Sequence, residues 1–417
     1  MHRSVPLCQS DTDRNCFATT CFFDFERAVS DQSIELGGPS MAITHAIVKV
    51  TQGCNIACKY CYVDHYGFGS KKLILMDIDV LESLFSRISE YVQSQELSRF
   101  TFYWHGGEPL LQPPSFYESV YEFQQKYLPS TKVTHLLQTN GVRLTRHYAR
   151  LLKDLGIVTS ISLDGPPEVN DALRVDHAGH PTSAKVIQGI EALRSEGHPL
   201  QILCVLGPAA MRRGAEIYRY FRSMDTVWMD FLLPHASLQH TTIDLASMPS
   251  QREFAQFFID VYDEWMDEAN SEICVRRLRD YTQLLLGAAP DTCIFSDDCS
   301  YIITVLPDGS IYPCDDLLST FPEPLGTLQT HRLETIKVHP TLCKVCKNST
   351  LMFAKECLEC DYFDVCRSGC TNFRSDKNKS FANKYFYCEM STLIIDHIRS
   401  DLLRRLSESG IRPLPSS

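Results

Sequence analysis

From residue 45 onward, short apolar runs alternate with longer segments in which apolar residues recur every three or four positions. The runs His45–Val50, Arg99–Trp104, Val133–Gln138, Ile157–Leu163, Leu200–Leu206 and Val227–Leu233 are candidate strands. The segments between them are amphipathic. In Asp79–Gln95, Val80, Leu81, Leu84, Phe85 and Ile88 share one helical face, and Leu144–Leu155 is a second such segment. Strands alternating with helices predict parallel pairing through right-handed βαβ crossovers. Six of them predict an α/β fold, a partial (β/α)6 TIM-type barrel with functional residues at the C-terminal ends of its strands.

The same pattern divides the chain. Residues 1–40 are irregular, carry a Gly37-Gly38-Pro39 break, and read as an N-terminal extension. The barrel occupies 41–249. Residues 250–290 form a helical connector in which Phe254, Phe257, Phe258, Val261 and Trp265 make an apolar stripe, read as core packing. A cysteine-rich region of short strands and turns follows at 291–390, then a closing helix and loose tail at 391–417.

Composition narrows the function. A net charge of −11 over 417 residues leaves no basic footprint for nucleic acid. No apolar run is long enough to span a bilayer, and the first twenty residues lack the apolar core of an export signal. A cytoplasmic location follows as an expectation. The outlier is cysteine, at 18 residues. In a reducing compartment thiols in this number read as metal ligands, and they cluster at 54–61 and 293–388.

The first cluster is Cys54, Cys58 and Cys61, spaced C-x3-C-x2-C directly after the first strand. Three thiolates on one short loop hold three irons of a [4Fe–4S] cluster and leave the fourth iron open to a substrate or cofactor. A closed structural zinc site would need a fourth ligand from elsewhere.

With Tyr60 before its last cysteine, this motif resembles the cluster loop of radical S-adenosylmethionine (SAM) enzymes. The resemblance continues through Gly106-Gly107-Glu108 after the second strand, whose glycines would let the backbone approach the methionine amino group of SAM. Asn140 after the third strand and Ser162 at the end of the fourth resemble positions that meet the SAM ribose and carboxylate. Arg174 is a candidate partner for a carboxylate of SAM or of a peptide substrate, with a surface ion pair as the alternative. The resemblance implies reductive cleavage of SAM to a 5′-deoxyadenosyl radical, one electron at a time, with a low-potential donor such as flavodoxin or ferredoxin. A non-catalytic iron–sulfur electron carrier would need neither the open iron nor the Gly-Gly-Glu segment.

The downstream cysteines resemble the SPASM extension of peptide-modifying radical SAM enzymes. That resemblance assigns Cys293, Cys299, Cys314 and Cys370 to one auxiliary [4Fe–4S] cluster, and Cys357, Cys360, Cys366 and Cys388 to a second, making three clusters in all. Pro307-Asp308-Gly309 reads as a tight turn that returns Cys314 toward Cys299. Asp315, next to Cys314, matches the catalytic base of anaerobic sulfatase-maturating enzymes, with a turn-capping carboxylate as its alternative. Cys204 reads as a small core residue. Cys8, Cys16, Cys21, Cys274, Cys343 and Cys346 receive no role.

Enzymes of this kind act on a precursor peptide or protein. The segments around Gly106-Gly107-Glu108 and from Ser162 to Asp176 look most like maturases that crosslink ribosomally made peptides, some by joining an aromatic carbon to a Cβ. Tyr312 to Asp315 looks like enzymes that oxidise Cys or Ser to formylglycine. The sequence puts the crosslink first and formylglycine second. His177, His180 and His235 are loop histidines that either touch substrate or are structural.

Overall fold

All six strands form, and all pair in parallel. The computed structural model describes residues 42–62, 73–234, 247–295, 298–375 and 380–408; His235 and Cys8, Cys16 and Cys21 lie outside them. Strand β1 (His45–Gln52) is followed by the short β2 (Ile74–Leu75) and helix α1 (Ile78–Ser94). The alternation continues through β3 (Arg99–Gly106), α2 (Pro114–Tyr127), β4 (Lys132–Thr139), α3 (Arg146–Asp154), β5 (Ile157–Ser162), α4 (Pro167–Leu173), α5 (Ser183–Ser195), β6 (Leu200–Val205), α6 (Gly214–Arg222) and β7 (Thr226–Leu232). The spatial order β1-β3-β4-β5-β6-β7 follows the chain. Residues after β1 and residues of β7 line one common cavity, so the sheet curls into a partial barrel.

Period-two burial shows why β3 sits where it does. Phe100, Phe102, Trp104 and Gly106 are buried on one face, while Thr101, Tyr103 and His105 alternate with them. The outward aromatics stack: Phe102 lies 5.0 Å from Phe85 of α1 and 5.4 Å from Trp104 between ring centroids. The Trp104 indole donates to His135 Nδ1 at 3.1 Å, and His135 Nε2 pairs with Gln124 Oε1 at 2.8 Å. Burial lowers the His135 pKa to about 4, so the ring is neutral at physiological pH and satisfied on both nitrogens.

The connector is not one helical stretch. Helix α7 (Gln251–Glu268) starts at a capping box between Ser250 and Glu253 and stops at Ala269, which is left-handed at φ 55°. The chain then adds a short strand, β8 (Cys274–Val275), beside β7 before α8 (Arg276–Leu285) begins. The apolar stripe of α7 is buried core.

The cysteine-rich region is continuous with the barrel sheet. Its first strand, β9 (Ile302–Val305), pairs in parallel with β1, with His45 opposite Ile302 and Val48 opposite Val305. β10 (Ser310–Tyr312) returns antiparallel on β9, and β11 (Gly326–Thr327) adds to β10. The tight turn is present, with Gly309 at φ 86° and its N–H donating to Leu306 O at 2.9 Å. Helices α9 (Leu333–Lys337), α10 (Pro340–Leu351), α11 (Lys355–Leu358) and α12 (Phe363–Cys366) follow. The last helix, α13 (Cys388–Glu408), packs on α7 and is pinned by Tyr262 to Asp401 at 3.1 Å and His397 to Asp263 at 2.6 Å.

Phe102→Ala removes the centre of the β3 aromatic stack and should cost about 3–5 kcal/mol. A denaturant titration in which the variant matched the parent would show that this stack is not what holds α1 on the sheet.

Candidate active site

The strand ends surround a cavity of about 380 Å³. The loop leaving β1 carries Cys54, Cys58 and Cys61 into it, and neighbouring βα units fix that loop from both sides. Ala57 N–H donates to Val175 O at 2.8 Å and Lys59 N–H to Leu173 O at 2.9 Å. His177 Nε2 lies 2.9 Å from Cys54 O, so this loop histidine holds the cysteine loop. Asn140 Nδ2 donates to Asn55 Oδ1 at 2.8 Å and lies 3.5 Å from Cys54 Sγ. Its carboxamide is thereby committed to the loop.

Gly106 and Gly107 serve a contact within the protein. A Cβ on Gly107 would lie 2.0 Å from Gly53 O, and one on Gly106, at φ +146°, 2.6 Å from Thr51 O. Their absence lets Gly107 N–H reach Thr51 O at 3.1 Å and Glu108 N–H reach Gly53 O at 3.2 Å. Glu108 is buried and accepts three hydrogen bonds. Leu110 N–H (2.9 Å) and the Thr139 hydroxyl (2.6 Å) reach Oε1, and Asn140 N–H (2.8 Å) reaches Oε2. Burial raises its pKa against the pull of these donors. Glu108 therefore ties the β3 loop to the end of β4.

Arg174 faces a carboxylate that belongs to this chain. Its Nε lies 3.0 Å from Asp164 Oδ2, both side chains are buried, and its guanidinium sits over the Tyr60 ring at 5.4 Å. Tyr60 donates to the same Oδ2 at 2.6 Å, and Val205 N–H donates to Asp164 Oδ1 at 2.9 Å. Arg174 also approaches Cys58 Sγ at 3.8 Å. The ion-pair alternative for Arg174 thus exists, but in the interior. Ser162 Oγ accepts from Gln138 Nε2 at 2.7 Å, and both residues line the cavity.

Asp315 belongs to a buried polar group assembled from three elements. Its Oδ2 accepts from Lys49 Nζ at 2.7 Å and from the Tyr62 hydroxyl at 2.6 Å. Lys49 also donates to His105 Nδ1 at 2.9 Å. A register shift between Lys49 and Thr51 in the β1–β3 pairing marks this point of the strand. Burial alone would raise the Asp315 pKa, but the Lys49 ammonium and the Tyr62 hydroxyl outweigh it and hold the carboxyl below its ordinary value. Burial, with Lys49, lowers the His105 pKa to about 3, so the ring is neutral. Asp315 Oδ1 is buried with no hydrogen-bond partner among the described residues. Sequence reading missed Lys49 and His105; the signal was a lysine interrupting the apolar run of β1.

The downstream cysteines fall into two spatial groups. Cys293, Cys299, Cys314 and Cys370 line one cavity together, and burial raises the Cys314 pKa well above normal, with Asp316 and the other three thiols raising it further. Cys366 is pushed up to about 12 by burial and then by Cys388, Cys357 and Cys360. The first group lines the cavity shared with Cys54, Cys58 and Cys61. Cys343 and Cys346 lie on α10, the former exposed, and are absent from that cavity wall; Cys204 is buried in the core.

The family profile described as the radical SAM superfamily matches residues 48–218. This chain carries a radical SAM domain. It is 25% identical over 389 residues to a serine-type anaerobic sulfatase-maturating enzyme of Bacteroides thetaiotaomicron, covering 86% of this chain and 91% of the relative. It is 27% identical over 352 residues to a cysteine-type enzyme of that name from Clostridium perfringens, covering 82% and 92%. Among solved structures, native anSMEcpe with bound AdoMet superposes with a TM-score of 0.79 at 24% identity, covering 87% of this chain and 99% of that one. Streptococcus suis SuiB bound to precursor peptide SuiA reaches 0.60 at 14% identity, covering 84% and 76%.

A radical SAM oxidoreductase uses a [4Fe–4S] cluster and SAM, and the thiols here suit such groups. Seven cysteines stand around the cavity wall, the thiolate donors that iron–sulfur groups take. Burial pushes Cys54 up to about 12 and Cys58 up to about 11. Such thiols are inert alone and give up their protons to a coordinated metal.

Gly107→Ala should push the cysteine loop off the β3 loop and cost about 1–3 kcal/mol. SAM affinity and iron content of the purified variant report the displacement; parent values for both would mean the backbone approach is dispensable.

Proposed function

We propose that this radical SAM enzyme oxidises the Cβ of a cysteine or serine in a peptide or protein substrate, leaving an aldehyde, formylglycine. The observation that carries the reading is the match to serine-type and cysteine-type sulfatase-maturating enzymes over more than four-fifths of the chain. The sequence motifs alone favoured a crosslink. The likeness to SuiB, a protein solved with a bound precursor peptide, rests on fold, at 14% identity, so the order of the two readings is reversed here.

In this reading Cys54, Cys58 and Cys61 hold the SAM-binding cluster; Cys293, Cys299, Cys314 and Cys370 hold the first auxiliary cluster; and Cys357, Cys360, Cys366 and Cys388 hold the second. Tyr60, Gly106, Gly107, Glu108, Asn140, Ser162 and Arg174 shape the SAM site, mostly by fixing the loops around it. When bound, these groups would supply a radical able to take a Cβ hydrogen atom and an acceptor for the electron that follows. Asp315 Oδ1 takes the accompanying proton from the substrate hydroxyl or thiol, while Lys49 and Tyr62 hold Oδ2 and keep the carboxylate ionised. A serine that loses a hydrogen atom, a proton and an electron is already the aldehyde. A cysteine becomes a thioaldehyde, which water converts to the aldehyde with release of H2S. The reading also calls for a low-potential electron donor such as flavodoxin or ferredoxin and a reducing, cytoplasmic setting.

The test is mass spectrometry of cysteine- and serine-containing peptides after anaerobic turnover. An aldehyde on the target residue, captured as a hydrazone, with normal fragmentation on either side, is the expected product. Loss of two hydrogens with fragmentation blocked between two residues would replace this reading with the crosslink. Asp315→Asn should lower product formation by about a hundredfold or more while 5′-deoxyadenosine still accumulates. Product formation at the parent rate would remove Asp315 from the base role.

A further inference from the structure

The cavity has a polar wall that none of the steps above uses. Arg276 and Arg277 open α8, Asp230 lies on β7, and all three line the cavity. Arg276 Nη1 pairs with Asp230 Oδ2 at 3.0 Å, while its side chain remains 31% exposed. Its guanidinium sits over the Trp228 ring at 5.9 Å. Arg277 is only 5% exposed, is packed over Phe258 at 5.7 Å, and has no hydrogen-bond partner for Nε or Nη1 among the described residues. Asp230 therefore pairs with Arg276 alone, and Arg277, hydrogen-bonded to Tyr385 and Tyr281, adds a second positive charge to this wall with no carboxylate bonded to it. A buried arginine with two unmet donors is costly unless something else arrives to meet them.

We propose that Arg276 and Arg277 form the receptor for an acidic side chain of the substrate peptide, seated in the same cavity as the residue to be oxidised. An incoming carboxylate would accept from Arg277 and from the edge of Arg276 not held by Asp230. Planar guanidiniums suit carboxylates in this way, and Asp230 fixes the first of them before substrate arrives. The proposal rests on the peptide-substrate reading, and it makes this enzyme selective for a negative charge at a set distance from the target.

The probe is a set of cysteine-containing synthetic peptides in which a single Glu is walked along the sequence, each with a Gln counterpart. Binding to the full-length, cluster-loaded enzyme with SAM is read by fluorescence anisotropy. At one position Glu should bind about tenfold or more tighter than Gln. Arg277→Met should bring that ratio close to one, and Arg277→Lys should restore part of it. No preference at any position overturns the proposal, as does a preference that survives Arg277→Met. A peptide-free change in the visible or EPR spectrum of the auxiliary clusters, with the preference intact, would overturn it too and give the arginine to a cluster. The binding ratio needs no turnover, so selective binding without aldehyde formation would defeat the formylglycine reading and leave the receptor standing.

Discussion

The site depends on one close backbone approach. The β3 loop lies directly on the residues entering the cysteine loop, with Gly107 so near Gly53 that a single carbon would not fit between them. From that contact the other fixtures follow. Glu108 is carried inward by it and gathers Thr139 and Asn140, and Asn140 in turn steadies Asn55 beside Cys54. A short loop rich in thiols has little side-chain packing of its own. Its shape is borrowed from three neighbouring strand ends, and the glycines set how close those ends stand.

Charge is handled differently at the cysteine loop and around Asp315. At the cysteine loop the buried thiols hold their protons tightly, and the nearby guanidinium of Arg174 is already engaged by Asp164. At Asp315 a lysine is buried beside the carboxylate, and the pair is completed by a tyrosine and a neutral histidine. Buried ion pairs of this kind add little to stability, but removing one partner strands the other. The cost of that arrangement explains why a lysine is found in the middle of an otherwise apolar strand.

Much of the fold was legible from periodicity, because each strand had to bury one face under its helix. The cysteine spacing and Gly-Gly-Glu segment were legible because both act locally. What was not legible is non-local. Lys49 and Asp315 are 266 positions apart, and nothing in either segment announces the other. Asp164 lies in the segment from Ser162 to Asp176, but sequence does not show that it is the interior carboxylate that Arg174 meets. Gly106 and Gly107 are legible as sites of close approach, but sequence does not show that the backbone of Thr51 and Gly53 is among what they approach. The split of the connector by β8 was hidden for a simpler reason: a two-residue strand is too short to leave a period.

The pairing of β9 with β1 bears on how such a chain is inherited. The barrel and the cysteine-rich region are not beads on a linker, since one hydrogen-bond ladder runs through both. A foreign cysteine-rich tail spliced on after the connector would have to meet β1 in the same register. A slip of one residue would turn Ile303 and Val305 to the opposite face and carry Cys314 away from the cavity. Recombination at that seam is therefore limited to tails that keep this register with β1.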